Sequence, residues 1–163
     1  MKISVDLNEK KTILDADPSE SLLCVLRRNK IFSVKCGCTK GYCGNCTVLL
    51  NGHPVPSCTI PAGIIRDNQI ITLEQFQNWP IYNDISKGFD QAGIHLCGYC
   101  NAGKIFTAYE VLTTYYRPTK EQLYFHINKY NFCCTDRDTL ANGILYAVAA
   151  KHAREGKVKN GRK

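Results

Sequence analysis

Cys38, Cys43 and Cys46 lie in one tight run, Cys-x4-Cys-x2-Cys, and Cys58 follows further along the chain. This is the spacing of plant-type [2Fe–2S] sites. Two irons bridged by two sulfides each need two thiolates. A loop can wrap such a cluster with three cysteines while a separate segment brings the fourth. Gly37, Gly41 and Gly44 punctuate the same run, and glycine lets backbone N–H groups come close to sulfur. Those N–H groups stabilise an anionic cluster and tune its potential. A four-cysteine zinc site usually shows paired C-x2-4-C knuckles. The spacing here is asymmetric and glycine-studded, which favours iron and sulfide. Cys36 reads as a spare buried thiol, and Cys24 as core packing on a first helix.

A second set comprises Cys97-Gly98-Tyr99-Cys100 and the later pair Cys133-Cys134. Each group lies just ahead of a helical pattern, so an anionic centre would meet helix N-termini and their partial positive charge. A structural zinc ion and a set of free thiols are the other readings of this group. His53, His95, His126 and His152 are scattered and read as surface or satisfied core residues; His95 is set apart by lying two residues from Cys97. The chain has no glycine-rich phosphate loop of Rossmann or P-loop spacing and no evident nucleophile–base pair.

The elements that must position these cysteines change character along the chain. Up to about residue 75 they read as strands. Ile3, Val5 and Leu7 alternate, and Asn8-Glu9-Lys10 turns the chain into Thr12-Ile13-Leu14. Asp17-Pro18-Ser19-Glu20 reads as a helix start, with Leu22, Leu23, Val25 and Leu26 at helical spacing. Thr47–Leu50, Asn51-Gly52 and His53-Pro54-Val55 form a hairpin pattern with a type I′ turn. Ile70-Ile71-Thr72-Leu73 is a last strand. Beyond Asn78-Trp79-Pro80, read as a linker, four helical stripes follow. They are Ile81/Ile85/Phe89, then Ile105/Ala108/Val111/Leu112/Tyr115, then Leu123/Ile127 opened by Thr119–Gln122, and last Leu140/Ile144/Leu145/Val148.

Composition narrows the class. The 163 residues are 44% hydrophobic and 21% charged, as in a packed globular protein. No apolar run approaches the ~20 residues of a membrane span. The first residues alternate and carry an acid at Asp6, unlike a signal peptide, so a cytoplasmic location is expected. Ten cysteines in short clusters suit metal better than disulfide staples. The net charge of +7 owes much to Lys151, Arg154, Lys157, Lys159, Arg162 and Lys163. Residues 154–163 read as a basic tail that frays. With no basic stripe interleaved with aromatics, neither nucleic acid nor membrane is an expected partner.

The run Lys35–Gly52, with Ser57-Cys58, resembles the iron–sulfur subunit of the molybdenum hydroxylases, the xanthine dehydrogenase, aldehyde oxidase and carbon monoxide dehydrogenase group. Leu96-Cys97-Gly98-Tyr99-Cys100 and Cys133-Cys134-Thr135 extend the resemblance over nearly the whole chain. It implies an α+β chain: an N-terminal β-grasp, ferredoxin-like domain (residues 1–76) and a C-terminal four-helix iron–sulfur domain (residues 80–153). Each would hold one [2Fe–2S] cluster, the first on Cys38, Cys43, Cys46 and Cys58, the second on Cys97, Cys100, Cys134 and Cys133. Partner subunits would carry molybdopterin and FAD, and this chain would relay electrons between them within a hetero-oligomer. A standalone ferredoxin-like carrier or an assembly module with one working cluster is the alternative.

The second site departs from the family pattern. The family supplies its last ligands as Cys-x-Cys-Thr, and alignment on Cys134-Thr135 puts Phe132, which cannot bind iron, at the third ligand. An intact cluster using Cys133, an altered cluster and no cluster are the three outcomes. Leu96 replaces a glutamine found near molybdopterin, Asn101-Ala102-Gly103 replaces Thr-Pro-Gly, and Asp136-Arg137 replaces Gly-Tyr. These positions would face the molybdenum partner, so coupling to molybdopterin is expected to be changed or lost.

Overall fold

The computed structural model describes residues 1–160, apart from the side chains of Val158 and Asn160. β1 (Lys2–Leu7) and β2 (Lys10–Asp15) pair antiparallel across Asn8-Glu9. Both turn residues have positive φ, 53° and 65°, which matches the twist of the flanking strands. β3 (Thr47–Leu50) and β4 (His53–Pro56) repeat the design over Asn51-Gly52. β5 (Gln69–Ile71) lies between the hairpins, parallel to β1 and antiparallel to β3, giving the order β2-β1-β5-β3-β4. Period-two alternation turns Ile3, Val5 and Leu7 inward. They share one hydrophobic cluster with Leu22, Leu23, Val25 and Leu26 of α1 (Leu22–Arg28).

Several expected boundaries and burials differ. α1 begins at Leu22, not within Asp17–Glu20. Ser21 caps it by accepting from the Cys24 N–H, while the Asp17 carboxylate closes a turn on Ser19. Cys24 and Cys36 are exposed. The apolar face of α1 is filled by Leu22, Leu23, Val25 and Leu26, which leaves Cys24 outside. The last strand stops at Ile71, because Thr72 and Leu73 turn into α2 (Leu73–Phe76).

The helical half comprises α3 (Pro80–Gln91), α4 (Asn101–Thr114), α5 (Lys120–Ile127) and α6 (Arg137–Asn160). Pro80 sits at the first position of α3, where its missing N–H costs nothing. Thr119 and Gln122 form a capping box on α5. Leu140, Ile144 and Val148 line the inner face of α6, but Leu145, one step around the helix, is 42% exposed. α3 and α6 meet closely at Gly88, where a Cβ would fall 2.3 Å from the Ala147 nitrogen. The expected linker is packed: Trp79 lies against Phe76 and Tyr109. The helices share a second hydrophobic cluster that also takes in Leu49 and Ile71 of the sheet.

The frayed tail is not what Arg154 onward forms. α6 continues to Asn160, and Arg154 grips the buried Asp84 of α3 with Nε at 2.9 and 3.1 Å. An unpaired buried carboxylate would be costly, so this pair holds the last turns on the bundle. Residues 161–163 of the expected tail lie outside the described residues. Among the described residues, no helix is long and apolar enough to cross a membrane.

Candidate metal centres

The loop between α1 and β3 folds back so that its backbone faces two sulfurs. Lys40 and Cys43 N–H groups donate to Cys38 Sγ at 3.4 Å each. Cys38 and Asn45 N–H groups donate to Cys43 Sγ at 3.4 and 3.5 Å. Gly37 makes this possible, since a Cβ there would stand 2.6 Å from Cys43 Sγ. Cys46 is buried at the end of the loop, next to β3. Cys58 rides on a short turn that Ser57 pins to the Cys46 carbonyl, with its N–H at 3.2 Å and its hydroxyl at 2.7 Å. Cys38 and Cys43 thus stand together, each turning its N–H to the other's sulfur, and Cys58 is held beside Cys46 through Ser57.

Electrostatics divide the four thiols. Burial opposes ionisation of Cys38, but the N–H groups of Lys40, Cys43 and Tyr42 outweigh it and lower its pKa to about 6. Burial, then the neighbouring Cys46, pushes Cys58 up to about 12. Metal loading must therefore release protons. A [2Fe–2S] cluster needs four thiolates and N–H donors aimed at sulfur; the four cysteines supply the first, and the backbone around Cys38 and Cys43 the second.

The second group gathers where α4 and α6 begin. Cys100 caps α4 and is buried, with Cys97, Cys133 and Cys134 exposed around it. All four Sγ atoms lie within 4.8 Å of one another. Cys97 and Cys134 stand 3.5 and 3.3 Å from Cys100. Phe132 does not stand in this cage. Its ring turns to the hydrophobic cluster, against Gly103 and Tyr130, and Cys133 reaches the other thiols. N–H groups of Cys100 and Tyr99 lower Cys97 to about 6. Burial, then Cys134 and Cys97, raises Cys100 to about 12.

Sequence reasoning missed Lys104, which is fully buried one turn into α4. Its Nζ donates to Cys134 Sγ at 2.7 Å and to Thr135 Oγ1 at 2.6 Å. Burial works against its charge, but the Cys134 hydrogen bond and the nearby Cys100 and Cys134 raise its pKa overall. The signal was a lysine inside an apolar stripe, four residues after Cys100. Asp136 accepts from the Thr139 N–H at 2.8 Å and so caps the start of α6.

The two groups meet. Tyr99, between Cys97 and Cys100, donates its hydroxyl to the Cys36 carbonyl at 2.6 Å. The Asn131 N–H donates to the Tyr42 carbonyl at 2.7 Å. Gly44 of the first loop and Gly103 of α4 touch backbone to backbone; a Cβ on Gly103 would fall 2.8 Å from the Gly44 oxygen. The histidines take other roles. His126 pairs with Glu110 at 2.8 Å, His152 stacks on Tyr116, and His53 is exposed. His95 lines an open cleft of about 580 Å³ beside Cys133 and Cys134.

Residues 2–92 match the family described as a 2Fe-2S iron-sulfur cluster binding domain. Over 148 residues the chain is 36% identical to the nicotinate dehydrogenase small FeS subunit of Eubacterium barkeri, covering 90% of this chain and 94% of that one. The chain belongs to the iron–sulfur small subunits of the molybdenum hydroxylase family. This small subunit is also 31% identical to the nicotine 6-hydroxylase small subunit of Paenarthrobacter nicotinovorans, covering 90% and 89% of the two chains. Quinoline 2-oxidoreductase from Pseudomonas putida 86 has a chain of the same mixed α and β architecture. It superposes with a TM-score of 0.84 at 29% identity, covering 96% of the small subunit and 97% of that chain.

Proposed function

We propose that this chain is the electron-transferring subunit of a molybdenum-hydroxylase-type complex, working between a molybdopterin-binding large subunit and an FAD-binding medium subunit in the cytoplasm. Residues 1–76 act as a β-grasp, ferredoxin-like domain holding a [2Fe–2S] cluster on Cys38, Cys43, Cys46 and Cys58. Residues 80–153 act as a helical domain holding a second centre on Cys97, Cys100, Cys133 and Cys134. Clusters bound there supply one-electron carriage. The protein's own part is to aim N–H donors at sulfur and to keep the two sites in register. The observation that carries this reading is the junction of the two cysteine loops through Tyr99–Cys36 and Asn131–Tyr42. Electron relay needs adjoining centres, and hydrogen bonds and packed backbone hold these two loops together.

The face toward the molybdenum partner keeps its departures. Leu96 packs against the hydrophobic cluster, and the Asp136 carboxylate is committed to the α6 cap. Coupling to molybdopterin therefore differs from that of a chain with glutamine and glycine at these positions. The test is purification of the chain with its co-expressed partners, followed by iron and sulfide analysis and EPR of the reduced complex. Two rhombic signals and bound molybdopterin and FAD subunits are expected. A colourless chain that purifies alone would overturn the reading.

One observation favours a second reading, a single working cluster beside an altered site. Thiolates on opposite irons of a two-iron cluster stand more than about 5 Å apart, whereas a single tetrahedral ion at ~2.3 Å from sulfur draws its thiolates to about 4 Å. In the cage of Cys97, Cys100, Cys133 and Cys134 no two sulfurs stand more than 4.8 Å apart, short of the separation across two irons, and two pairs stand at 3.5 and 3.3 Å. Metal analysis separates the two: a single ion adds one iron or zinc to the first cluster and leaves no second [2Fe–2S] signal.

A further inference from the structure

Lys104 is the one charged side chain on α4 with no exposure to solvent. A buried ammonium is costly unless paired. Among the described residues, no carboxylate lies within ion-pair distance of it. Its partners are instead Cys134 Sγ and Thr135 Oγ1. The group that faces the buried ammonium is thus a candidate ligand sulfur and not a carboxylate. The first cysteine group is built differently: the donors to Cys38 and Cys43 are backbone N–H groups. Those dipoles bring no net charge.

We propose that Lys104 is the fixed counter-ion of the second cysteine group and sets the reduction potential of the centre held there. This rests on the reading that Cys97, Cys100, Cys133 and Cys134 hold a reducible iron–sulfur centre. The physical reason is one of sign. Adding an electron makes the centre more negative, and a fixed cation in hydrogen-bond contact with a ligand sulfur stabilises that state more than the oxidised one. Hydrogen bonds to sulfur and local charge are among the determinants of cluster potential. Contact through N–H to sulfur also removes electron density from the Cys134 thiolate, which acts in the same direction. Lys104 reaches the centre through the Cys134 sulfur, with the Thr135 hydroxyl also on its Nζ, so it is a positioning and tuning residue.

The test is an EPR-monitored redox titration of the purified, cluster-loaded wild type and of Lys104→Met and Lys104→Gln. In Lys104→Met the reduction equilibrium of the second centre should fall at least about tenfold, 59 mV for a one-electron couple, while the first centre's midpoint stays in place. Lys104→Gln should fall as well, because it keeps a donor but loses the charge. A loaded Lys104→Met with an unshifted second midpoint overturns the proposal. Should neither variant load, ENDOR of the reduced wild type grown on 15N-lysine decides. A lysine nitrogen coupled to the second centre supports the proposal, and its absence overturns it. A wild type with only one reducible centre overturns the underlying site reading and the proposal with it. That outcome is distinct from an unshifted midpoint.

Discussion

Cys133 and Phe132 are neighbours in sequence with opposite fates. The ring is half-buried against Tyr130 and Gly103, and the next thiol turns outward to Cys97, Cys100 and Cys134. On the proposed reading of this group as an iron–sulfur centre, Cys133→Ser should remove its signal and lower the iron content, leaving the first signal intact. Cys36→Ser, at an exposed thiol outside both groups, should leave metal and spectra unchanged. Metal analysis with EPR checks both. A second residue-scale case is the Asp84–Arg154 pair. Arg154→Ala strands a carboxylate that is 1% exposed. Because the Arg154 side chain is itself 37% exposed, the expected loss is about 2 kcal/mol, less than for a fully buried pair. Urea unfolding at neutral pH measures it.

Among the elements, short α2 ties the cluster loop to the sheet. Glu74 accepts from the Ser33 N–H at 2.9 Å and from the hydroxyls of Ser33 and Thr72. Burial pushes its pKa up, but the Ser33 and Thr72 donors outweigh this and hold it below the usual 4.5. A carboxyl whose folded pKa is depressed contributes stability above the unfolded pKa, and that contribution is lost as pH falls through the folded value. Glu74→Gln should thus cost about 1–2 kcal/mol at pH 7. The gap to wild type should narrow as pH falls below 4.5. Urea midpoints of both proteins at neutral and acid pH check the sign. At this scale the sequence was informative. Both hairpin turns and the Thr119 cap follow local chemistry and were legible as Asn8-Glu9, Asn51-Gly52 and Thr119–Gln122. The α1 start was not, because Asp17–Glu20 satisfies the same capping pattern one turn early and only the Ser21–Cys24 bond distinguishes them.

Across the whole molecule, the seam between the two cysteine loops is the feature on which relay depends. Gly103→Ala would place a methyl 2.8 Å from the Gly44 carbonyl and 3.0 Å from Phe132. Backbone cannot yield as a flexible side chain does, so the seam should open at a cost of about 1–3 kcal/mol. Hydrogen exchange at the Asn131 N–H, bonded across the seam to Tyr42, should rise in that variant. By itself the sequence singled out the first thiol group as a candidate site and determined the strand-then-helix order and most helix stripes. All of these rest on spacing and periodicity within one segment. Only the tertiary structure decided that Cys133 reaches the second group, that Arg154 extends α6 instead of fraying, and that Lys104 lies buried against Cys134. Each of those outcomes depends on a partner more than ten residues away, whose position is set by packing between elements and not by local spacing.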